Sequence, residues 1–209
     1  QQLPATVSAE GATLGHDVSL MDRLVRLGYP TQPLSVQRRM HPEIVRFPNE
    51  TFYGGKLRTE YAQHFEGRDA VPPYQVVQVD GECKRVGTSS CNPVEAAACL
   101  AIARELETVF DRVVILCPYQ AQTRELLRLK GKHVHTIDSF QGQEADAIVI
   151  SVVRREEIGF WSDTRRLNVA LTRARHCLRV VGACHAWQGP LRALSEDAAR
   201  RGCHCVWTE

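Results

Sequence analysis

Apolar residues gather in short runs along this chain, separated by amphipathic stretches of helical spacing. The runs at 75–79, 113–117, 133–137, 147–153 and 178–181 are rich in Val, Ile and Leu, and several lack any alternation. Strands covered on both faces of a parallel sheet read this way. Helical periodicity predicts helices over 20–27, 42–52, 93–110 with Asn92 as cap, 119–129, 163–174 and 185–200. The alternation implies an α/β fold, a three-layer domain with a mostly parallel central sheet. Segments 61–73 and 81–90, with mixed charge, Gly and Pro, are expected to be surface loops.

Composition narrows the reading. At 209 residues and 44% hydrophobic content the chain suits one well-buried domain with at most a short flank, not two full domains. A net charge of +2 announces no polyanion partner, but 22 of the 26 basic residues are Arg, since Lys occurs only at 56, 84, 130 and 132. Between Thr164 and Arg179 there are five Arg and no acid, so the charge signal is local. No apolar stretch approaches the roughly 18 to 20 residues that a membrane helix needs. The eight cysteines come without a charged-then-apolar leader, and several lie in apolar runs, so they read as reduced core thiols. An intracellular location, cytoplasm or nucleus and not secreted, is the expectation. Cys203-His204-Cys205 with Cys184-His185 is the one cluster worth weighing for zinc, and its spacing fits no ligand pattern, so no metal site is assigned. The amino end, Gln1-Gln-Leu-Pro-Ala-Thr-Val, has no initiator Met, cap or periodicity, and implies a piece of a longer protein.

Two polar blocks carry the chemistry. Thr136-Ile-Asp-Ser-Phe-Gln-Gly-Gln-Glu-Ala-Asp146 follows a β run, where an open α/β sheet places its ligand. Arg165-Arg-Leu-Asn-Val-Ala-Leu-Thr-Arg-Ala-Arg175 sets Arg166 and Arg173 seven residues apart in a helical pattern. One helix face should present both, about 10 Å apart along the axis. Gly142 is expected where the backbone turns sharply or approaches a ligand.

Gln2-Leu-Pro, Gln37-Arg-Arg-Met-His-Pro42, Phe47-Pro, Phe52-Tyr-Gly, Pro118-Tyr-Gln-Ala-Gln122 and the two polar blocks follow one another in fixed order. This succession, from about Gln2 to Gly182, resembles superfamily-one helicases of the Upf-like branch. The resemblance implies a RecA-like domain of the P-loop NTPase superfamily that lacks the P-loop itself. Residues 1–18 would be the tail of a preceding first RecA-like domain with its linker, and 19–209 the second. Arg173 would be an arginine finger, Arg39 a second phosphate contact, and Gln2 a sensor of the γ-phosphate and water. An arginine aimed at the charge that develops on a transferring phosphoryl group is worth about 10³ to 10⁵ in rate. Arg38, Gly142, Glu144 and Arg166 would complete the nucleotide contacts, Glu144 accepting the ribose hydroxyls, a job that needs a carboxylate rather than an amide or a base. Thr136, Pro118, Tyr119 and Gln122 would touch the backbone of single-stranded RNA or DNA without reading sequence. Asp138 and Gln141 would link the two regions.

Two positions depart from the family. Arg38 stands where a Tyr usually stacks on adenine, a role that a guanidinium plane can also fill. Cys117 stands where a Thr opens the block at 117–119, and a thiol is a weak donor. Gly54-Gly-Lys56 and Gly131-Lys132 lack the spacing and hydroxyl of a phosphate loop, and no strand ends in paired acids. ATP with Mg²⁺ is the implied cofactor, its metal ligands expected in the first domain, and this stretch alone should hydrolyse no ATP appreciably. The resemblance implies 5′ to 3′ translocation. Non-catalytic alternatives are a nucleic-acid-binding or regulatory module that kept the fold, and a nucleotide-binding scaffold for protein partners.

Overall fold

The computed structural model describes residues 9–16, 18–61, 71–154 and 159–208. Its elements in chain order are α1 (Ala9–Thr13), α2 (Leu20–Arg26), β1 (Val36–Gln37), α3 (Pro42–Phe52), β2 (Arg58–Thr59) and β3 (Tyr74–Gln78). There follow β4 (Lys84–Val86), β5 (Ser89–Cys91), α4 (Pro93–Leu106), β6 (Val113–Cys117), α5 (Gln120–Arg128) and β7 (Val134–Thr136). The last are β8 (Ala145–Ser151), α6 (Thr164–Leu171), β9 (Ala174–Gly182), α7 (Gly189–Arg200) and β10 (His204–Val206). Single turns of tighter helix lie at Asp138–Phe140, Gly159–Ser162 and Cys184–Ala186.

The apolar runs become the central sheet, in the order β10-β3-β9-β8-β6-β7, with every neighbouring pair parallel. Every carboxyl end therefore lies along one edge of the sheet and every amino end along the other. One face packs on α3, α6 and α7 through a core that includes Phe47, Ile148, Ile150, Leu167, Leu171 and Leu194. The opposite face packs on α4 and α5 through Val77, Leu100, Ile102, Val149, Val181 and Leu126. All five side chains of β6 are buried, and Ile148 and Ile150 of β8 are wholly covered. Each such residue adds about 1.5 to 3 kcal/mol of burial free energy, which explains why unbroken apolar runs end at the middle of the sheet.

Several expectations are corrected. The helix predicted to 110 ends at Leu106, and the one predicted over 163–174 ends at Leu171, because Ala174 already pairs with Ala145 in the sheet. Segment 81–90 holds the antiparallel β4–β5 pair, not only loop. The edge strand β10 went unpredicted, since three residues carry no period. Of the loop expected over 61–73 and the tail expected over 1–18, residues 62–70, 1–8 and 17 lie outside the described residues, and Gln2 with them. Among the described residues no group of His, Cys, Asp and Glu could hold a metal ion, and no helix is long and apolar enough to cross a membrane.

Between α4 and the carboxyl end of β8 lies a buried polar network. Asn92 caps α4 by accepting from Glu95 N at 3.1 Å. Gln122 accepts from Asn92 N and donates to Ser151 Oγ at 2.9 Å. Ser151 Oγ and Val153 N then donate to the Glu95 carboxylate at 2.6 and 2.8 Å. Gly81 leaves room for this knot, since a Cβ there would fall 2.5 Å from Asn92 Oδ1. Burial pushes the Glu95 carboxyl up from 4.5 to about 7, against the hydrogen bonds from Ser151 and Val153 that pull it down. A raised acid binds its proton more tightly when folded. Its contribution to stability is thus complete below about pH 4.5 and lost as pH rises through about 7. Chemical denaturation across that window should show a loss on the order of 3 kcal/mol from this group. In Glu95→Gln this part of the slope should vanish; an unchanged slope would refute the assignment.

Candidate functional site

The amino-terminal edge of the sheet holds a cluster of arginines around one acid. Arg39 Nε donates to Glu144 Oε2, and Arg39 Nη1 donates to the Thr172 carbonyl at 3.1 Å. Arg175 lies 3.9 Å from the other oxygen of Glu144 and 3.7 Å from Asp146. Arg173, directly before β9, donates from Nε to Val169 O at 2.9 Å and from Nη2 to Thr172 Oγ1 at 3.2 Å. The two guanidinium groups thus satisfy carbonyls left open at the end of α6. Burial and the neighbouring Arg39 hold the Arg173 guanidinium below its usual range. Like charges held together at a partly covered site favour an anion between them.

The loop bearing Arg38 and Arg39 is fixed by a residue to which the sequence alone assigns no role. The Gln37 amide donates to Met40 O and Thr59 Oγ1 and accepts from the backbone amides of Arg39 and Met40. His41 N donates to Arg175 O at 2.8 Å, stitching the same loop to β9. Arg38 points outward, 72% exposed, in an ion pair with Glu60 at 2.6 Å. A pair that open contributes little stability. Tyr53, whose hydroxyl accepts from Asn168 at 3.0 Å, likewise escapes the sequence, as no spacing joins residues 115 apart.

Thr136 and the block after β6 lie at the opposite, carboxyl-terminal edge. Thr136 Oγ1 accepts from Ser139 N at 3.3 Å, and Ser139 Oγ donates to Thr136 O at 2.9 Å. Tyr119 lies edge-on to Phe160, ring centroids 6.3 Å apart, and the Arg154 guanidinium covers its ring at 5.1 Å. Pro118 and Tyr119 are half-buried. Gln122 is fully covered and spends its amide on the network around Asn92, so it is scaffold beneath this surface rather than part of it. Cys117 is also fully covered, 3.1 Å from Thr123 Oγ1, with its thiol pushed up to about 11 by burial. No surface contact is available to it.

The block does follow β7, but the chain from 137 to 144 then crosses the sheet from one edge to the other, so its later part leaves the carboxyl edge where the ligand was expected. Asp138 stays at the carboxyl edge, 3.5 Å from Arg166. Phe140 is wholly buried in the face shared with α6. Gln141 and Gly142 are exposed, and Gly142 adopts φ +84, a left-handed turn that favours glycine, with no protein atom near where a Cβ would stand. Glu144 then arrives at the amino edge, just before β8. Arg166 and Arg173 are separated by the same path: Arg166 packs over Phe160 at 4.7 Å at the start of α6, while Arg173 lies beyond its end. They share no helix face.

Residues 16–185 match a family model described as an AAA domain. An uncharacterized ATP-dependent helicase of Methanocaldococcus jannaschii is 37% identical over 207 residues, covering 87% of this chain and 31% of that protein. Regulator of nonsense transcripts 1 of Dictyostelium discoideum is 34% identical over 86% of this chain and 16% of its own length. Helicase sen1 of Schizosaccharomyces pombe is 35% identical over 87% of this chain and 12% of its own length. The chain thus spans under a third of these relatives. Among solved structures, the C-terminal domain of a possible DNA helicase from Lactobacillus plantarum aligns with a TM-score of 0.52 over 81% of this chain and 98% of that one, at 12% identity. That likeness is one of fold.

Proposed function

We propose, from the premise that this chain belongs to the AAA domain family and is a Upf-like, superfamily-one helicase domain, that it forms the second RecA-like half of an ATP-dependent motor on single-stranded RNA or DNA. The observation that carries this reading is the cluster of Arg39, Arg173 and Glu144 at one sheet edge, with Thr136 and Tyr119 at the other. Arg39 and Arg173 suit the phosphates of ATP, because two partly covered guanidinium groups lie near enough to act on each other beside a carboxylate, Glu144, that Arg39 already engages. Glu144 suits the ribose hydroxyls as an acceptor, and Arg38 offers a flat cation to the base. Bound ATP supplies the free energy of phosphoryl transfer, and its Mg²⁺ is held by a first RecA-like domain outside this chain. The residues here orient the nucleotide and neutralise charge as a cleft between the two domains closes.

The 137–144 segment runs between the two edges, and the Arg166–Asp138 pair fastens its carboxyl-edge end to α6, so a shift at the nucleotide would alter the grip on the strand. Translocation from 5′ to 3′ belongs to this reading. The full-length protein should hydrolyse ATP faster when an oligouridylate or oligothymidylate is added. Glu144→Ala should raise its KM for ATP by about tenfold, the cost of one good hydrogen bond to a charged group, with a smaller change in kcat. Full-length protein that binds the strand but turns over no ATP would favour a non-catalytic binding module instead.

A further inference from the structure

Glu95 is the most deeply buried acid of the described chain, 1% exposed, and no cation is among the groups that act on it. The titratable groups facing it are thiols: Cys99 on its own helix, Cys117 on β6 and Cys83 before β4. Its carboxylate instead receives Ser151 Oγ–H and Val153 N–H at the end of β8. Val153 is the feature this grip explains. A β-branched residue at φ 75 is strained by on the order of 1 to 3 kcal/mol and persists only where its surroundings hold it. The next residue, Arg154, covers the Tyr119 ring and reaches Ser90 Oγ at 3.4 Å. The preceding carbonyl, Val152 O, accepts from Trp161 Nε1 at 3.1 Å, which ties the start of the α6 segment to the same turn.

We infer that Glu95 is a positioning residue for the strand-facing edge: its ionised carboxylate holds the Ser151–Arg154 turn with Arg154 on Tyr119, and protonation releases that turn. The inference rests on the reading of this edge as the single-strand contact. Both donors point at Oε1, so a proton on the other oxygen leaves them in place but turns two charge-assisted bonds into neutral ones about half as strong, set against the strain of the Val153 backbone. The burial that raises this group toward neutrality puts the change inside the physiological range. A charged acid in the core is costly to folding, and a strained turn held in one shape is what that cost secures.

The test is the affinity of the full-length protein for a fluorescent oligouridylate between about pH 6 and about pH 8 at fixed salt. Protonation of surface histidines strengthens binding of a polyanion, so ordinary electrostatics predicts weaker binding as pH rises. A turn held by ionised Glu95 predicts the opposite, a gain of about three- to tenfold through neutral pH, the worth of one contact. Glu95→Gln should bind weakly throughout, with no such gain, while keeping its far-ultraviolet circular dichroism. Ser151→Ala keeps the carboxylate but removes a bond that favours its ionised form, so the midpoint of the gain should move to higher pH. A Glu95→Gln profile matching the wild type, or a Ser151→Ala midpoint that stays put, would overturn the inference. Wild-type protein that fails to bind the oligonucleotide at any pH would instead overturn the proposed function.

Discussion

Arg173→Ala in the full-length protein is expected to slow ATP hydrolysis by about 10³ to 10⁵-fold, the worth of an arginine aimed at a transferring phosphoryl group. Single-strand affinity should stay within about twofold, well under the tenfold that 1.4 kcal/mol represents. The separation of the two effects follows from topology. Arg173 precedes the first residue of β9, whereas Thr136 and Tyr119 lie at or beyond the last residues of β7 and β6, and all three strands run the same way. The length of the sheet's strands therefore lies between them. Arg173→Lys tests the chemistry further. The ammonium keeps the charge but cannot reach Val169 O and Thr172 Oγ1 while presenting a flat fork outward, so recovery should be slight. Turnover near the wild-type rate in Arg173→Ala, measured by phosphate release, would remove the central residue of the proposed site.

The second large effect is one of stability. Phe140→Ala should cost about 3 to 5 kcal/mol, the usual toll of emptying an aromatic site in a packed core. Its ring is wholly covered, with the His135 ring 5.3 Å away and the Arg112 guanidinium 5.8 Å from its centroid. For a domain of this size the thermal midpoint should fall by roughly 10 °C. Phe140 is also the anchor of the path from Thr136 to Glu144, so its loss should free Gln141 and Gly142 before the rest of the fold. Hydrogen exchange would register this as early loss of protection at 138–144. A drop in midpoint of less than about 3 °C would mean that the ring is not packed as described.

The central strands were legible because continuous Val and Ile runs have few other fates: β6 matches its prediction at both ends and β8 is displaced by two residues. Helix α3 was equally plain, since His41-Pro42 opens it in sequence as in space. What escaped was decided by partners distant in the chain. Arg173 reads as helical by local spacing, yet the pairing of Ala174 with Ala145 draws the backbone into the sheet and the helix ends at Leu171, three residues before its expected end. Gln122 looks like a surface amide by sequence, and only the fold sets it against Asn92 and Ser151. The arrangement of Glu144 between Arg39 and Arg175 joins three separate segments, and no single-chain periodicity encodes it. The strain at Val153 left no trace in residue type at all.

The sheet ends on both sides in its shortest members, His204–Val206 at one border and Val134–Thr136 at the other. Three residues of open backbone are too few to template a second molecule's strand, a hazard that grows with edge length. The segments most inclined to do so, Ala145–Ser151 and Ala174–Gly182, are fenced in at the centre. Resistance to self-association is thus written into the order in which the strands were laid down, with the late, brief β10 closing off β3 that would otherwise stand bare.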